Sequence, residues 1–176
     1  WPEGQTYQQY AMQAFSGALY ALSRNKNFDI WEDNQYLRSF PKWRLYNFIP
    51  ATPDRQFMTY GDISGNGRRT VHAAMPCLLS AWRYRDGHAV WLARELLKIQ
   101  DDWFPEDEMV KSLVFYDPKI EPIPPDELPL NLHLKELEGV IFRSSWEKDG
   151  LMFGLKCGPY GGRWNFDLIS GKELPY

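Results

Sequence analysis

Asp117-Pro118-Lys119-Ile120-Glu121-Pro122-Ile123-Pro124-Pro125-Asp126-Glu127-Leu128-Pro129-Leu130 divides the chain into two differently patterned parts. Proline fixes φ and removes a backbone donor, so prolines this dense predict an extended link rather than helix or ladder. Before it, apolar residues recur at helical spacing; after it, the period becomes two. The fold class is therefore α+β: antiparallel helix pairs over 1–116, a proline-rich linker over 117–137, and antiparallel strands over 138–176.

The helical part reads as six helices. In 6–22, Tyr7, Tyr10, Ala11, Ala14, Phe15, Ala18, Leu19 and Leu22 form an apolar stripe, with Thr6 as a candidate N-cap. Asp29 to Ser39 predicts a second helix, and Pro41 suits the first turn of a third, ending near Phe48. Residues 51–67 read as a loop that includes Tyr60-Gly61-Asp62. Helices follow over 68–84, where Pro76 predicts a kink or a late start, over 88–100, and over about 106–114. Past the linker, Gly139–Ser144 and Leu151–Cys157 read as strands of a hairpin, with Asp149-Gly150 as its turn pair. Gly158–Gly162 reads as a second turn and Trp164–Ile169 as a further strand.

Composition narrows the function classes. A net charge of −3 with no basic run argues against nucleic acid as the main partner. No apolar run approaches the ~20 residues of a membrane helix, and residues 1–176 contain no signal peptide. Aromatic residues make up 16% of the chain, which suits either a core or a carbohydrate groove, because a sugar has an apolar C–H face and a polar rim. Cys77 and Cys157 have no companion ligands at zinc spacing and read as buried free thiols. His72, His88 and His133 lie on three separate segments without metal-ligand spacing and read as solvated or satisfied core residues. Asp101-Asp102 and Glu106-Asp107-Glu108 read as a solvated helix start.

The first ten residues, Trp1-Pro2-Glu3-Gly4-Gln5-Thr6-Tyr7-Gln8-Gln9-Tyr10, place a carboxylate, a glycine and two tyrosines together. Tyr7 and Tyr10 share a helix face at this spacing. Two phenols there can stack on sugar rings, donate hydrogen bonds or move a proton; equally, they can simply pack.

Together with the loop from Pro53 to Asp62, and with Gly139-Val140-Ile141-Phe142-Arg143-Ser144-Ser145-Trp146 leading to Phe153-Gly154-Leu155-Lys156-Cys157-Gly158-Pro159, this stretch resembles the heparinase II/III-like polysaccharide lyases. The order of the motifs resembles the junction between that family's α/α toroid and its β-sandwich. The resemblance implies a secreted or periplasmic bacterial lyase that cleaves an acidic, uronic-acid-containing polysaccharide or oligosaccharide by β-elimination. A base removes the C5 proton and an acid, commonly a tyrosine, protonates the leaving O4. Tyr7 and Tyr10 match the tyrosine-bearing motif as catalytic candidates, with Trp1, Glu3, Trp31, Tyr60 and Asp62 as substrate-binding candidates.

The chain departs from the family pattern in two respects. No Asn-His pair precedes Trp1, and Gly161-Gly162-Arg163-Trp164-Asn165-Phe166-Asp167 carries no histidine where the family has its histidine and zinc ligands. The chain therefore reads as a piece of a longer protein, with no cofactor within residues 1–176 and a zinc ion expected only in a full-length form. Two other functions fit the residues. A toroid glycoside hydrolase would use Glu3 and Asp62 as carboxylates ~5–10 Å apart. A non-catalytic carbohydrate-binding scaffold would use Trp1, Tyr7, Tyr10, Trp31 and Tyr60 as stacking surfaces.

Overall fold

The structure, a computed structural model, describes residues 5–25, 29–32, 34–49, 57–58, 74–98, 106–135 and 138–157. Within them, helices precede strands: α1 (Gln5–Asn25), α2 (Gln35–Asn47), α3 (Ala74–Tyr84), α4 (Gly87–Leu97), α5 (Glu106–Phe115), β1 (Asn131–Leu134), β2 (Gly139–Arg143) and β3 (Met152–Lys156). The α+β class and the switch from helix to strand hold. The expected turn at 158–162 and strand at 164–169 lie outside the described residues.

Helix α1 forms where the periodicity places it but buries a different face. Gln8, Gln9, Met12, Ser16 and Leu19 are buried, whereas Tyr10, Ala14, Phe15, Ala18 and Leu22 are exposed. The buried positions also recur at three- and four-residue spacing, and the polar groups of Ser16 and Gln9 find partners. Ser16 Oγ donates to the Met12 carbonyl, and Gln9 Oε1 accepts from Arg44 Nη2 at 3.4 Å.

The two helices expected over 29–39 and 41–48 are one, α2, with Pro41 inside it. Residues 29–32 instead form a turn, in which Asp29 Oδ1 accepts from the Trp31 amide at 3.0 Å. Asn34 then caps α2 by accepting from the Leu37 amide at 3.1 Å. A proline within a helix leaves the carbonyl four residues earlier without its donor. Here that carbonyl belongs to Leu37, and buried Ser80 Oγ of α3 donates to it at 3.1 Å. A tertiary contact thus replaces the lost helical bond, which is why Pro41 ends nothing. In α3, Pro76 falls two residues after the first described position, Ala74.

α3 and α4 are joined by Arg85 and Asp86 alone. Arg85 takes the left-handed conformation at φ 57°, and Asp86 Oδ1 accepts from the amides of His88 and Ala89. α3 also packs on α1, α2 and α5. The shared core holds Leu37, Phe40, Leu45, Met75, Cys77, Leu79, Leu92 and Leu96. Cys77 is fully buried, and desolvation pushes its thiol up to about 12. Cys157 is exposed, contrary to expectation, because it lies just past the end of β3.

The proline-rich stretch is a packed strap rather than a free linker. Ile120 is buried against Ala81, Ala89 and Val90, and the Ile123 amide donates to the Gly87 carbonyl at 3.0 Å. The Ile123 carbonyl meets His88 Nδ1 at 2.9 Å, so His88 is a satisfied structural histidine, as its isolation in the sequence implied. The approach is close enough to require glycine. A Cβ on Gly87 would stand 2.6 Å from the Glu121 carbonyl oxygen. Gly87→Ala is expected to cost about 1–3 kcal/mol through overpacking against backbone. Chemical unfolding should show this as a lower midpoint with an unchanged slope.

Sheet order is β1-β2-β3, antiparallel throughout, with His133 opposite Val140 and Phe142 opposite Phe153. β1 falls inside the span expected to be linker; Asn131-Leu132-His133-Leu134 alternates correctly but is only four residues long. The β2–β3 connection turns at Glu147–Gly150, where the Gly150 amide donates to the Glu147 carbonyl at 3.0 Å. Asp149-Gly150 is therefore not its central pair. Gly139, Ile141 and Arg143 of β2 face inward, while Phe142, Phe153 and Leu155 are exposed on the opposite face.

Candidate functional site

Of the residues expected to form the site, Tyr10 and Trp31 are those whose side chains the structure describes. Trp1, Glu3, Tyr60 and Asp62 lie outside the described residues, and of Tyr7 only the helical backbone is described. Tyr10 is 72% exposed on α1. Trp31 needs correction: at 1% exposure it is a core residue, edge-on to Tyr84 at 6.2 Å, and presents no face for a sugar. Its burial follows from the turn at 29–32, whose Trp31 carbonyl also accepts from Tyr84 Oη at 2.8 Å.

A groove of about 550 Å³ lies between the helical layer and the sheet. α1 contributes Gln8; α2 contributes Gln35, Tyr36, Ser39, Phe40, Lys42 and Trp43; β1 contributes Leu132, His133 and Leu134, followed by Lys135 just past its end. Each wall has a local cause. The Asn34 cap sets the start of α2, so Tyr36 stands in its first turn, while Phe40 and Trp43 turn inward as core. β1 pairs with β2 in a register that puts His133 opposite Val140, and that side chain is exposed. The strap brings β1 alongside α2, where Tyr46 Oη of α2 donates to the Pro129 carbonyl at 2.7 Å.

Among the described residues, the charged side chains lining this groove are Lys42 and Lys135, and none is a carboxylate. Arg44 is fully buried on α2, with its guanidinium 5.5 Å from the Phe40 ring and 4.9 Å from the Phe57 ring. Burial raises the Tyr36 phenol above its ordinary value, and the Gln8 side-chain hydrogen bond and the Arg44 charge oppose that rise. The phenol is thus a held proton next to a cation, while half of its ring remains open to solvent. An apolar floor, polar rims and two lysines fit an anionic ligand with hydroxyl groups.

Sequence reasoning missed Tyr36, Lys42, His133 and Lys135 as a set. The helix-to-strand switch implied two packed layers, but nothing in the spacing said which residues would face each other across them. A second hollow, of about 310 Å³, lies against Met58, Gly139, Ile141 and Gly154, with Lys156 as its charged group. It offers little beyond apolar surface.

Among the described residues, no three His, Cys, Asp or Glu side chains converge into a metal-ligand set. A zinc ion of the kind the resemblance implies would draw its ligands from elsewhere. No described helix is long and apolar enough to cross a membrane. No protein-family model and no curated protein matches the chain.

Proposed function

We propose that the protein cleaves an acidic, uronic-acid-containing polysaccharide by β-elimination, as its resemblance to heparinase II/III-like lyases implies, and that the groove between α2 and β1 seats the polymer. One observation carries this reading: among the described residues, the groove's charged lining is Lys42 and Lys135, both cationic, with the buried Arg44 behind it. Elimination next to a uronate requires its carboxylate to be neutralised so that the C5 proton becomes acidic, and ammonium groups supply that charge. A helical layer followed by an antiparallel sheet is also what a toroid-to-sandwich junction would present.

A glycoside hydrolase needs two carboxylates across its cleft, and the described lining offers none. A non-catalytic carbohydrate binder would use the same groove, with half-exposed Tyr36 as its stacking surface.

The test is incubation of the full natural protein with a polyuronate and with its carboxyl-reduced form. The expected result is near-ultraviolet absorbance from a C4–C5 double bond with the acidic polymer alone. Shortened polymer without that absorbance would mean hydrolysis. Retained but uncut polymer would mean binding only.

A further inference from the structure

We infer that the free edge of β1 reads the hydroxyl groups of the acidic polymer through the main-chain N–H and C=O of His133; this rests on the elimination reading above, which places that polymer in the groove. β1 is an outer strand of the sheet, paired with β2 on one side. The Arg143 amide donates to the Leu130 carbonyl at 2.7 Å. Bonded and non-bonded pairs alternate along an antiparallel ladder, so Leu132 bonds to Ile141 and Leu134 to Gly139. His133, opposite Val140, holds a non-bonded position, and its N–H and C=O point away from β2. The far side of β2 agrees: the Cys157 amide donates to the Glu138 carbonyl at 3.2 Å, which by the same alternation turns the Val140 main chain toward β3. Among the described residues, neither His133 group meets a backbone partner.

Leu132, His133, Leu134 and Lys135 line the groove in unbroken sequence, although successive side chains of a strand point to opposite faces. The groove therefore runs along the edge of β1, with α2 as its other wall. That edge presents one donor and one acceptor side by side. A carboxylate only accepts, whereas a hydroxyl both accepts and donates. Hydroxyls thus match the His133 main chain, and the carboxylates are left to Lys42 and Lys135. A peptide strand is the less suited occupant: β1 has four residues, and a lysine such as Lys135 just past its end guards an edge against strand addition.

Proline is tolerated on an outer strand where the N–H faces away from the ladder. His133→Pro therefore removes the donor and sets a ring carbon where its hydrogen stood, while His133→Ala keeps it. In the full natural protein, an unmodified oligouronate should bind His133→Pro about tenfold more weakly than His133→Ala. An oligouronate O-acetylated on its hydroxyls should bind wild type about tenfold more weakly than the unmodified one. His133→Pro should weaken the acetylated oligomer by no more than about twofold, since both changes remove the same contact. Equal affinities of the proline and alanine variants for the unmodified oligomer would overturn the assignment and leave the elimination reading standing. So would an oligoglutamate that binds wild type as tightly as the oligouronate, because it brings carboxylates without hydroxyls. If the proline variant does not fold, the two oligouronates compared on wild type decide: a tenfold difference upholds the assignment and equal affinities overturn it. If wild type neither binds nor cleaves any polyuronate, this assignment and the elimination reading are both overturned.

Discussion

Replacing Arg143 by methionine is expected to destabilise the protein by about 3 kcal/mol, seen as a lower midpoint of urea unfolding. Arg143 is a buried residue of β2, and its Nη2 donates to the carbonyls of Tyr46, at 2.9 Å, and Phe48. These carbonyls end α2, where the last turn has no intrahelical donors and the macrodipole favours a cation. The guanidinium also stands 4.4 Å from the Trp146 ring, and Trp146 Nε1 donates to the Leu128 carbonyl of the strap at 3.0 Å. One side chain thus ties the helical layer, the strap and the sheet together. Desolvation lowers its pKa to about 10, so burying this charge has a cost that the hydrogen bonds must exceed. Charge-assisted hydrogen bonds contribute ~1.5–3 kcal/mol each, and orphaned buried carbonyls add a penalty when the donor is removed. Methionine fills most of the space, so the measured loss reports the missing donors rather than a cavity. Because α2 and β1 wall the groove, the same substitution should also weaken polyuronate binding under conditions where the variant remains folded.

The order of elements was legible because it rests on local pattern. The change of period across 117–130 placed helices before strands. What failed depended on contacts between distant segments. Pro41 ends a helix only if the Leu37 carbonyl has no other donor, and Ser80 supplies one from α3. The buried face of α1 was misassigned because an apolar count treats Gln8, Gln9 and Ser16 as solvent-facing, whereas Gln9 reaches Arg44 on α2. Trp31 was read as a stacking surface from residue type alone, but the turn at 29–32 and Tyr84 place it in the core. The groove was illegible for the same reason. Tyr36 and Lys42 lie on one side of the proline-rich strap, His133 and Lys135 on the other, and only the docking of the strap brings β1 to α2.

The two lysines carry the account of what the groove binds. Lys42 and Lys135 come from different elements, are exposed, and line one groove whose described residues include no carboxylate. Exposed charge pairs are worth up to ~1 kcal/mol each. Removing both should weaken binding of an acidic oligomer by about 1–2 kcal/mol, roughly tenfold. The salt dependence of binding should flatten in parallel, since screening acts on the contacts that are lost. Neither side chain belongs to the hydrophobic core, so Lys42→Ala combined with Lys135→Ala should leave the thermal midpoint nearly unchanged. The direct test is calorimetric titration of an oligouronate into the wild-type protein and into this double variant, at low and at moderate salt. A roughly tenfold weaker Kd in the double variant, with a reduced salt slope, is the predicted result. Equal affinity and equal salt slope in the two proteins would contradict the assignment of this groove to an acidic polysaccharide.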